Sequence, residues 1–322
     1  MQDVLVILLA ENNFDPAAQG LIGAGRELAA ETGGKLIAVV IGANGEHAAG
    51  EAARFADKVL VLNQPELREY QTETYLDALR QIAAPANPFA VLLSSDAYSQ
   101  ETAARLAHRL GGSAAGDGVK LQMEGGKLRV TRQAYGGKAV SVVELKRNPA
   151  VAWLRARAFP TVSANENRAE IEILNLNLKP DERLKIVERV KEDAGESRLE
   201  DANVVVSGGR GLGGAKQFVE LKKLADVLDA QMAASRAACD AGWVSPTLQV
   251  GQTGKKVAPD LYLAVGISGA SQHLAGMSDS KVIAAINSDP NAPILKHCQF
   301  GLVEDYKKVL PLLVEKLREL KK

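Results

Sequence analysis

The chain has 322 residues, 46% of them hydrophobic and 24% charged, a composition that supports packed cores in two domains. Lys and Arg together number 39, as do Asp and Glu, so no basic field exists to attract nucleic acid or an anionic membrane surface. No apolar run reaches the roughly 20 residues that span a bilayer, and the two cysteines and four histidines lack metal-binding spacing, so we expect neither direct membrane insertion nor a metal site.

The chain opens on an apolar run, Val4–Leu9. No cationic region and no Arg-rich segment precedes this run, so the pattern is typical of a buried strand and not of a signal or transit peptide. We therefore expect the protein to act in a bacterial cytoplasm, the alternative being a processed mitochondrial matrix protein.

The first half of the sequence alternates apolar runs with helical patterns. A helix is expected to open at Asp15-Pro16 and to end at Gly33-Gly34. Further strands are predicted over three apolar runs: Leu36–Ile41, Lys58–Leu62 and residues 90–94. Continuous apolar strands separated by helices indicate a parallel sheet that is covered on both faces.

The pattern changes after this sheet. Residues 119–155 predict strands in quick succession, and residues 169–178 predict one more. Residues 184–190 are ambiguous between strand and helix, and the polar stretch 191–200 is interpreted as a linker. The expected fold is therefore α/β with two domains, each a mostly parallel sheet flanked by helices: residues 1–190 with an added β-rich part, and residues 201–322.

A glycine-rich turn lies near the start of the second domain. Gly209, Gly211 and Gly214 form a G-x-G-x-x-G pattern between a predicted strand, residues 204–206, and a predicted helix, residues 216–228. Glycines let the backbone approach a pyrophosphate, and a helix N-terminus supplies donors and positive potential. The pattern therefore predicts a Rossmann-like domain that binds a dinucleotide.

The residues alone leave the kind of dinucleotide open. Arg210 adds a cation to the turn, but an NAD site usually places an acidic residue after the next strand to hold the ribose. Here the corresponding stretch, residues 231–235, is followed by Arg236. An arginine could hold the extra phosphate of NADP, so an NADP-dependent oxidoreductase subunit stays an alternative.

Three polar, mostly glycine-containing segments follow predicted strands in this domain. They are Ser235-Arg236, residues 249–255 and residues 266–273. Because the carboxyl ends of parallel strands line the ligand crevice of an open sheet, we expect these segments to converge there. Their hydroxyls, amides and one histidine suit a flat heterocycle with many hydrogen-bonding edges. Strands over Leu261–Val265 and residues 281–286 and a final helix, Tyr306–Leu320, complete the domain.

Residues 261–277, which read LYLAVGISGASQHLAGM, resemble the signature of electron transfer flavoprotein alpha subunits, and the likeness continues to Asn287. Residues 207–211, 234–238 and 250–255 match that family in order and spacing. The resemblance is strong from about residue 201 to the C-terminus and weaker before it. Ser271 departs from the aliphatic residue usual at its position.

The resemblance implies that FAD binds in the second domain. Arg210, Ser235 and Ser268 would hold the pyrophosphate, and Asn287 and Asp305 would serve the adenosine end. Polar residues and a glycine would surround the middle and ring of the flavin: Gln249, Gln252, Thr253, Gly254, Gln272 and His273.

The implied set has two further members. Arg236 would lie over the isoalloxazine ring, and Gly269 completes the cofactor-binding residues. Reduction places negative charge on the N1–C2=O edge of the flavin, which His273 would stabilise as a donor, while Thr253 Oγ could bond N5.

The function that the resemblance implies is electron transfer without substrate turnover. The partner would be the beta subunit of the same family in a heterodimer, holding either AMP or a second FAD. Flavin dehydrogenases would donate electrons, and a membrane quinone reductase or a similar acceptor would receive them. Because residues 1–190 contain no site that we can name, we expect them to pack against the partner. A purely structural subunit is the remaining alternative.

Overall fold

The computed structural model of the protein describes residues 2–10, 14, 16–43, 45–135, 137, 139–166, 168–181, 183, 184, 186–188 and 199–321. The chain divides into two compact units, one of residues 1–134 and 140–190 and the other of residues 135–139 and 191–322. Each unit is a sheet flanked by helices, which confirms the predicted α/β fold class. Within the described residues, no helix is long and apolar enough to cross a membrane.

The first unit contains a nine-stranded sheet within the described residues. Its strands are β1 (Val4–Leu9), β2 (Leu36–Ile41), β3 (Lys58–Leu62), β4 (Ala90–Leu93), β5 (Ser113–Glu124), β6 (Lys127–Ala134), β7 (Ala139–Leu145), β8 (Ala150–Leu154) and β9 (Glu170–Ile173). Their spatial order is β7-β6-β5-β8-β4-β1-β2-β3-β9. All pairs from β5 across to β9 are parallel, whereas β6 pairs antiparallel with β5. The predicted β-rich part thus extends the parallel sheet at one side.

Helices cover both faces of this sheet. They are α1 (Pro16–Thr32), α2 (Glu46–Ala52), α3 (Thr72–Ala86) and α4 (Ala97–Leu110). Successive residues of a strand point to opposite faces, so β1 contributes to two cores. Val4 and Val6 pack in the core that includes α1 and α2, whereas Leu5 and Ile7 pack in the core that includes α3 and α4. The continuous apolar runs are explained by this two-sided burial.

The strand predicted over residues 169–178 is shorter than expected. It is the edge strand β9, which ends at Ile173, and its four residues are all exposed. The chain then leaves the strand conformation, although Leu174 N still donates to Val61 O at 2.9 Å. Leu178 is buried in the core that includes α3 and α4. Burial of that side chain explains the apolar pattern which predicted a longer strand.

The segment between the two units is described in part. Leu184 and residues 186–188, from the stretch that was ambiguous, form neither helix nor strand. The expected linker, residues 191–200, lies outside the described residues as far as residue 198, and Leu199–Asp201 form a 3-10 turn. Asp15, expected to open α1, also lies outside the described residues, whereas Gly33 adopts the left-handed φ of 66° that ends a helix.

The second unit contains a five-stranded parallel sheet over residues 199–321, all of which are described. Its strands are β10 (Val204–Gly208), β11 (Gln231–Ala234), β12 (Leu261–Val265), β13 (Val282–Asn287) and β14 (Phe300–Val303). Their spatial order is β11-β10-β12-β13-β14. The strand that follows β10 in sequence, β11, therefore pairs on one side of it, and the later strands β12, β13 and β14 lie on its other side.

The two faces of this sheet are covered differently. The helices of the unit are α5 (Ala215–Leu228), α6 (Arg236–Asp240), α7 (Ser271–Leu274) and α8 (Tyr306–Leu320). Phe218 of α5 and Leu310 of α8 pack in the core on one face. The core on the other face includes Val250 and Val257, which belong to loops, Ile294 of a 3-10 turn and Leu274 of the short helix α7. This face is thus covered by loops and short turns and not by long helices.

Candidate functional site

A cavity of about 800 Å³ lies at the carboxyl ends of β10, β11, β12 and β13. In an open parallel sheet, ligands bind where the connections leave a strand in opposite directions. That strand is β10, because β11 lies on one side of it and β12 on the other. The volume falls in the upper part of the roughly 300–1,000 Å³ typical of ligand pockets. The polar segments predicted to converge at one sheet edge do so around this cavity.

The glycine-rich turn after β10 packs closely against the loop after β12. Gly209 N donates to Val265 O at 2.9 Å, and Gly211 N donates to Gly266 O at 3.0 Å. A Cβ atom on Gly209 would overlap the carbonyl oxygen of Gly266, and one on Gly211 would lie only 2.7 Å from it. The close contact of two backbones therefore requires these glycines, in addition to any contact with a ligand.

A 3-10 turn lies between the glycine-rich strand end and the helix that follows it. Residues Arg210–Leu212 form a 3-10 turn, and α5 starts at Ala215. Arg210 and Gly211 line the cavity, whereas the first turn of α5, which is fully described, does not. The 3-10 turn therefore lies between the helix and the cavity, and whether the helix supplies donors to a ligand stays a prediction.

The segment after β11 forms a short helix that the sequence did not indicate. Strand β11 stops at Ala234, and Arg236 is the first residue of α6. Ser235 precedes the helix, and its Oγ is buried without a hydrogen-bond partner among the described residues. Arg236 Nε lies 3.2 Å from Asp240 Oδ2 one helical turn later, with side-chain exposures of 68% and 63%. Both line the cavity, so the positive charge of Arg236 comes with a counter-charge.

The segment from Gln249 to Lys255 folds back on itself at the end of β11. Val250 N donates to Ala234 O at 2.9 Å, and Lys255 N donates to Gln249 O at 2.7 Å. Gln249 Nε2 donates to Thr253 Oγ1 at 3.1 Å, so the hydroxyl proton of Thr253 is left to donate elsewhere. A Cβ on Gly254 would overlap Gln249 O, so this glycine is needed by the turn itself.

The loop after β12 is joined to two neighbouring segments through the backbone. Gln252 N donates to Gln272 O at 2.7 Å, and Ile294 N donates to Ser268 O at 3.0 Å. Gly269 has a left-handed φ of 81°, and a Cβ there would overlap the backbone of Ile294. Ser268 and Gln272 are exposed and line the cavity, so the loop presents their side chains on a framework fixed by main-chain bonds.

His273 is the buried titratable side chain of the cavity lining, with 7% of its surface exposed. Its Nε2 lies 3.0 Å from the hydroxyl of Tyr262. Burial lowers the pKa of His273 to about 4, and the backbone of Val250 opposes this shift. Nδ1 has no hydrogen-bond partner among the described residues. The ring is therefore neutral near pH 7 and carries one proton.

The two residues predicted at the adenosine end have different surroundings. Asn287 lines the cavity at the end of β13, where its Nδ2 donates to Ile267 O at 2.8 Å and its Oδ1 accepts from Asp289 N at 2.9 Å. Asp305 caps α8 by accepting from Lys307 N at 3.0 Å, and it does not line the cavity. The carboxylate of Asp305 has therefore a structural role in the helix.

The sequence of this chain matches the models of two protein domains. The electron transfer flavoprotein domain covers residues 4–179, and the electron transfer flavoprotein FAD-binding domain covers residues 198–278. The chain belongs to the electron transfer flavoprotein alpha-subunit family. The alpha subunit of Thermoanaerobacterium thermosaccharolyticum is 39% identical over 94% of this chain and 93% of its own length. The alpha subunit of Bacillus subtilis is 40% identical over 93% of this chain and 92% of its own length. Protein FixB of Clostridium saccharobutylicum is 35% identical over 96% of this chain and 94% of its own length.

The cavity suits the FAD that an electron transfer flavoprotein alpha subunit binds. Ser235 Oγ and His273 Nδ1 are buried and unpartnered among the described residues, although buried polar groups are nearly always hydrogen-bonded. A bound cofactor would supply the partners that both atoms lack. Arg210 and Arg236 are exposed at the cavity and bring the positive charge that a pyrophosphate requires. This family assignment favours FAD over the NADP alternative.

Most of the residues expected from the family resemblance meet at this cavity: Arg210, Ser235, Arg236, Gln249, Gln252, Thr253, Ser268, Gln272, His273 and Asn287. Gly254, Gly269 and Asp305 do not line it, and each has the local structural role described above. Asp240 and Asp289 line the cavity and were missed. The i, i+4 spacing from Arg236 could have indicated Asp240 once α6 was recognised, whereas no sequence signal marks Asp289. Among the described residues, no cluster of metal-binding side chains is present.

Proposed function

We propose that the protein is the FAD-carrying subunit of a heterodimeric electron transfer flavoprotein and turns over no substrate of its own. The observation that carries this proposal is the cavity itself, where two buried polar atoms lack partners beside two exposed arginines. Membership of the alpha-subunit family supports it. FAD bound there supplies the redox chemistry, and the protein sets its potential and its exposure.

The phosphate end of the site is proposed to lie near the glycine-rich turn. The Arg210 guanidinium and the hydroxyls of Ser235 and Ser268 line the same cavity and are suited to a pyrophosphate, since charged donors make the strongest hydrogen bonds to phosphate oxygens. Asn287 is proposed to contact the adenosine portion beside its bond to Ile267. Asp305, whose carboxylate caps α8, is proposed to serve the adenosine end as well.

The flavin end is proposed to lie among the loops after β11 and β12. Thr253 has a free hydroxyl proton because its oxygen already accepts from Gln249, so it can donate to a ring nitrogen. His273 is proposed to donate to the edge of the ring on which negative charge accumulates. Arg236 remains charged at every working pH, and its charge favours the electron-rich form of a ring that lies beside it.

Residues 1–190 are proposed to pack against a beta subunit. The relatives are named as subunits, which supports a heterodimer. Strands β7 and β9 lie at the two edges of the first sheet and expose apolar side chains, among them Val140, Val142 and Ile173. Exposed apolar side chains on an unpaired sheet edge are available for a partner to cover, so either edge is a candidate for this contact. Flavin dehydrogenases as donors, a membrane quinone reductase as acceptor and a bacterial cytoplasmic location complete the proposal.

Co-expression with a beta subunit tests this function. The purified complex is expected to elute as a one-to-one heterodimer, to show the visible absorption bands of oxidised flavin and to release FAD on denaturation. The chain expressed alone is expected to aggregate or to retain less FAD. Nicotinamide-dependent turnover without flavin would support the oxidoreductase alternative, and a colourless complex without nucleotide would support a structural subunit.

A further inference from the structure

Tyr262 lies behind the cavity, in the middle of the second sheet. It belongs to β12, has no exposed surface and is among the largest fully buried side chains of the protein. Its hydroxyl lies 3.0 Å from His273 Nε2, and the two rings meet at 64° with centroids 6.1 Å apart. Eleven residues separate the two in sequence, so strand β12 and helix α7 bring them together. The contact is completely buried, so water does not compete for the hydrogen bond.

Both groups are neutral near pH 7, and this limits the contact to two arrangements. Burial raises the pKa of Tyr262, with a smaller opposing effect of the Ser207 side chain, and burial lowers the pKa of His273 to about 4. Either the phenol donates to Nε2 and the ring proton sits on Nδ1, or Nε2 carries the proton and donates to the phenol oxygen.

The single proton of the phenol distinguishes the two arrangements. A buried hydroxyl needs an acceptor for its proton, and His273 Nε2 lies 3.0 Å from the Tyr262 oxygen. The buried Oγ of Ser207 has no hydrogen-bond partner among the described residues, so it does not take that proton. If the phenol donates to Nε2, the ring proton sits on Nδ1, which is buried and unpartnered in a residue that lines the cavity, and a ligand acceptor can complete its bonding.

We propose that Tyr262 is a positioning residue: its hydroxyl donates to Nε2 of His273 and places the imidazole proton on Nδ1, leaving that nitrogen as a hydrogen-bond donor to the cofactor. The consequence for the cofactor rests on the proposed function. Tyr262 touches no ligand itself and acts only through the histidine. Without the phenol, the proton can shift to Nε2, and the ring then turns a lone pair towards an electron-rich edge.

The first test determines the tautomer directly in the co-expressed complex. Protein labelled with ¹⁵N-histidine is examined by NMR, and the His273 signals are assigned by their loss in His273→Gln. We expect a protonated Nδ1 and an unprotonated Nε2 in the wild type, and a mixture of tautomers in Tyr262→Phe. A wild-type ring with its proton on Nε2 would overturn the proposal, whether or not the complex contains FAD.

The second test measures the midpoint potential of the bound flavin. Tyr262→Phe is expected to lose about tenfold in the preference for reduced over oxidised FAD, which is about 30 mV for a two-electron couple. In the His273→Gln background the same substitution is expected to change nothing further. Tyr306→Phe is the matched control, because this buried hydroxyl donates to Leu212 O at 2.7 Å and meets no histidine.

Three outcomes separate the hypotheses. An equal shift from Tyr262→Phe with and without His273, or the same shift from Tyr306→Phe, would mean that the phenol acts through general packing and would overturn the proposal. A complex that binds no FAD would overturn the proposed function, while the tautomer measurement would still decide the role of Tyr262. Full FAD content with a shift that depends on His273 would support both.

Discussion

Replacement of Gly209 by alanine tests whether the glycine-rich turn is needed mainly for packing between loops. The added methyl group would overlap the carbonyl oxygen of Gly266, which is backbone and cannot rotate away. The loops must separate, and the bonds from Gly209 N to Val265 O and from Gly211 N to Gly266 O lengthen. Overpacking costs about 1–3 kcal/mol and each lost hydrogen bond about 1 kcal/mol, so we expect a loss of about 2–5 kcal/mol in unfolding free energy.

The same substitution is expected to weaken the binding of FAD. Gly211 and Gly266 line the cavity, so separation of the loops displaces two of its walls. We expect the dissociation constant to rise at least about tenfold, which corresponds to about 1.4 kcal/mol. Urea unfolding of the FAD-free complex measures the first effect, and fluorescence titration with FAD measures the second.

Gly213→Ala is the control from the same turn. Gly213 has a left-handed φ of 86°, so alanine costs about 1–2 kcal/mol there, but nothing lies within 4 Å of the added methyl group and the residue does not line the cavity. FAD affinity is therefore expected to stay unchanged. If Gly209→Ala matched Gly213→Ala in both stability and affinity, the argument from loop packing would be refuted.

Three further substitutions address charge. Arg210→Ala is expected to weaken FAD binding by about 1.5–3 kcal/mol, with a smaller change in potential, and unchanged affinity in a titration of the FAD-free complex would contradict its role at the pyrophosphate. Arg236→Ala is expected to lower the flavin midpoint potential and Asp240→Asn to raise it. The shifts should be roughly tens of millivolts, because the two charges are 3.2 Å apart and largely exposed. Redox titrations that show equal potentials in the wild type and in both variants would exclude this pair as a determinant of the potential. Asp117→Ala is expected to lower the free energy of unfolding in urea by about 3–5 kcal/mol, because it removes the carboxylate that accepts from the buried Arg155 guanidinium at 2.9 and 2.7 Å. A loss below about 1 kcal/mol, the value of a surface ion pair, would contradict this role.

The predicted strands were those whose burial on both faces leaves an uninterrupted apolar run. Val4–Leu9 and Leu261–Val265 were predicted with their exact bounds for this reason. Phe300–Val303 was missed, because a run of four residues that includes a glycine is too short to stand out as a strand. The helices Arg236–Asp240 and Ser271–Leu274 were missed as well, since four or five residues are too few to show a helical period.

The site was predictable where its residues follow strands directly. Ser235 and Ser268 come shortly after strand ends, and the parallel topology alone brings them to one edge. Side-chain pairs that form only when helices pack against the sheet could not be predicted from the sequence in this way. The pair of Arg236 and Asp240 depends on an unrecognised helix, and the contact of Tyr262 with His273 depends on how α7 packs against β12. The capping of α8 by Asp305 likewise had no sequence signal that we recognised.

Main-chain hydrogen bonds hold the loops around the cavity to one another, as between Gln252 N and Gln272 O or Ile294 N and Ser268 O. These bonds do not depend on which side chains the same residues carry. Descendants of this protein could therefore exchange the polar groups that touch the cofactor one at a time while the shape of the cavity persists. A lineage can in this way adjust the driving force of electron transfer to a new donor or acceptor without first having to rebuild its fold.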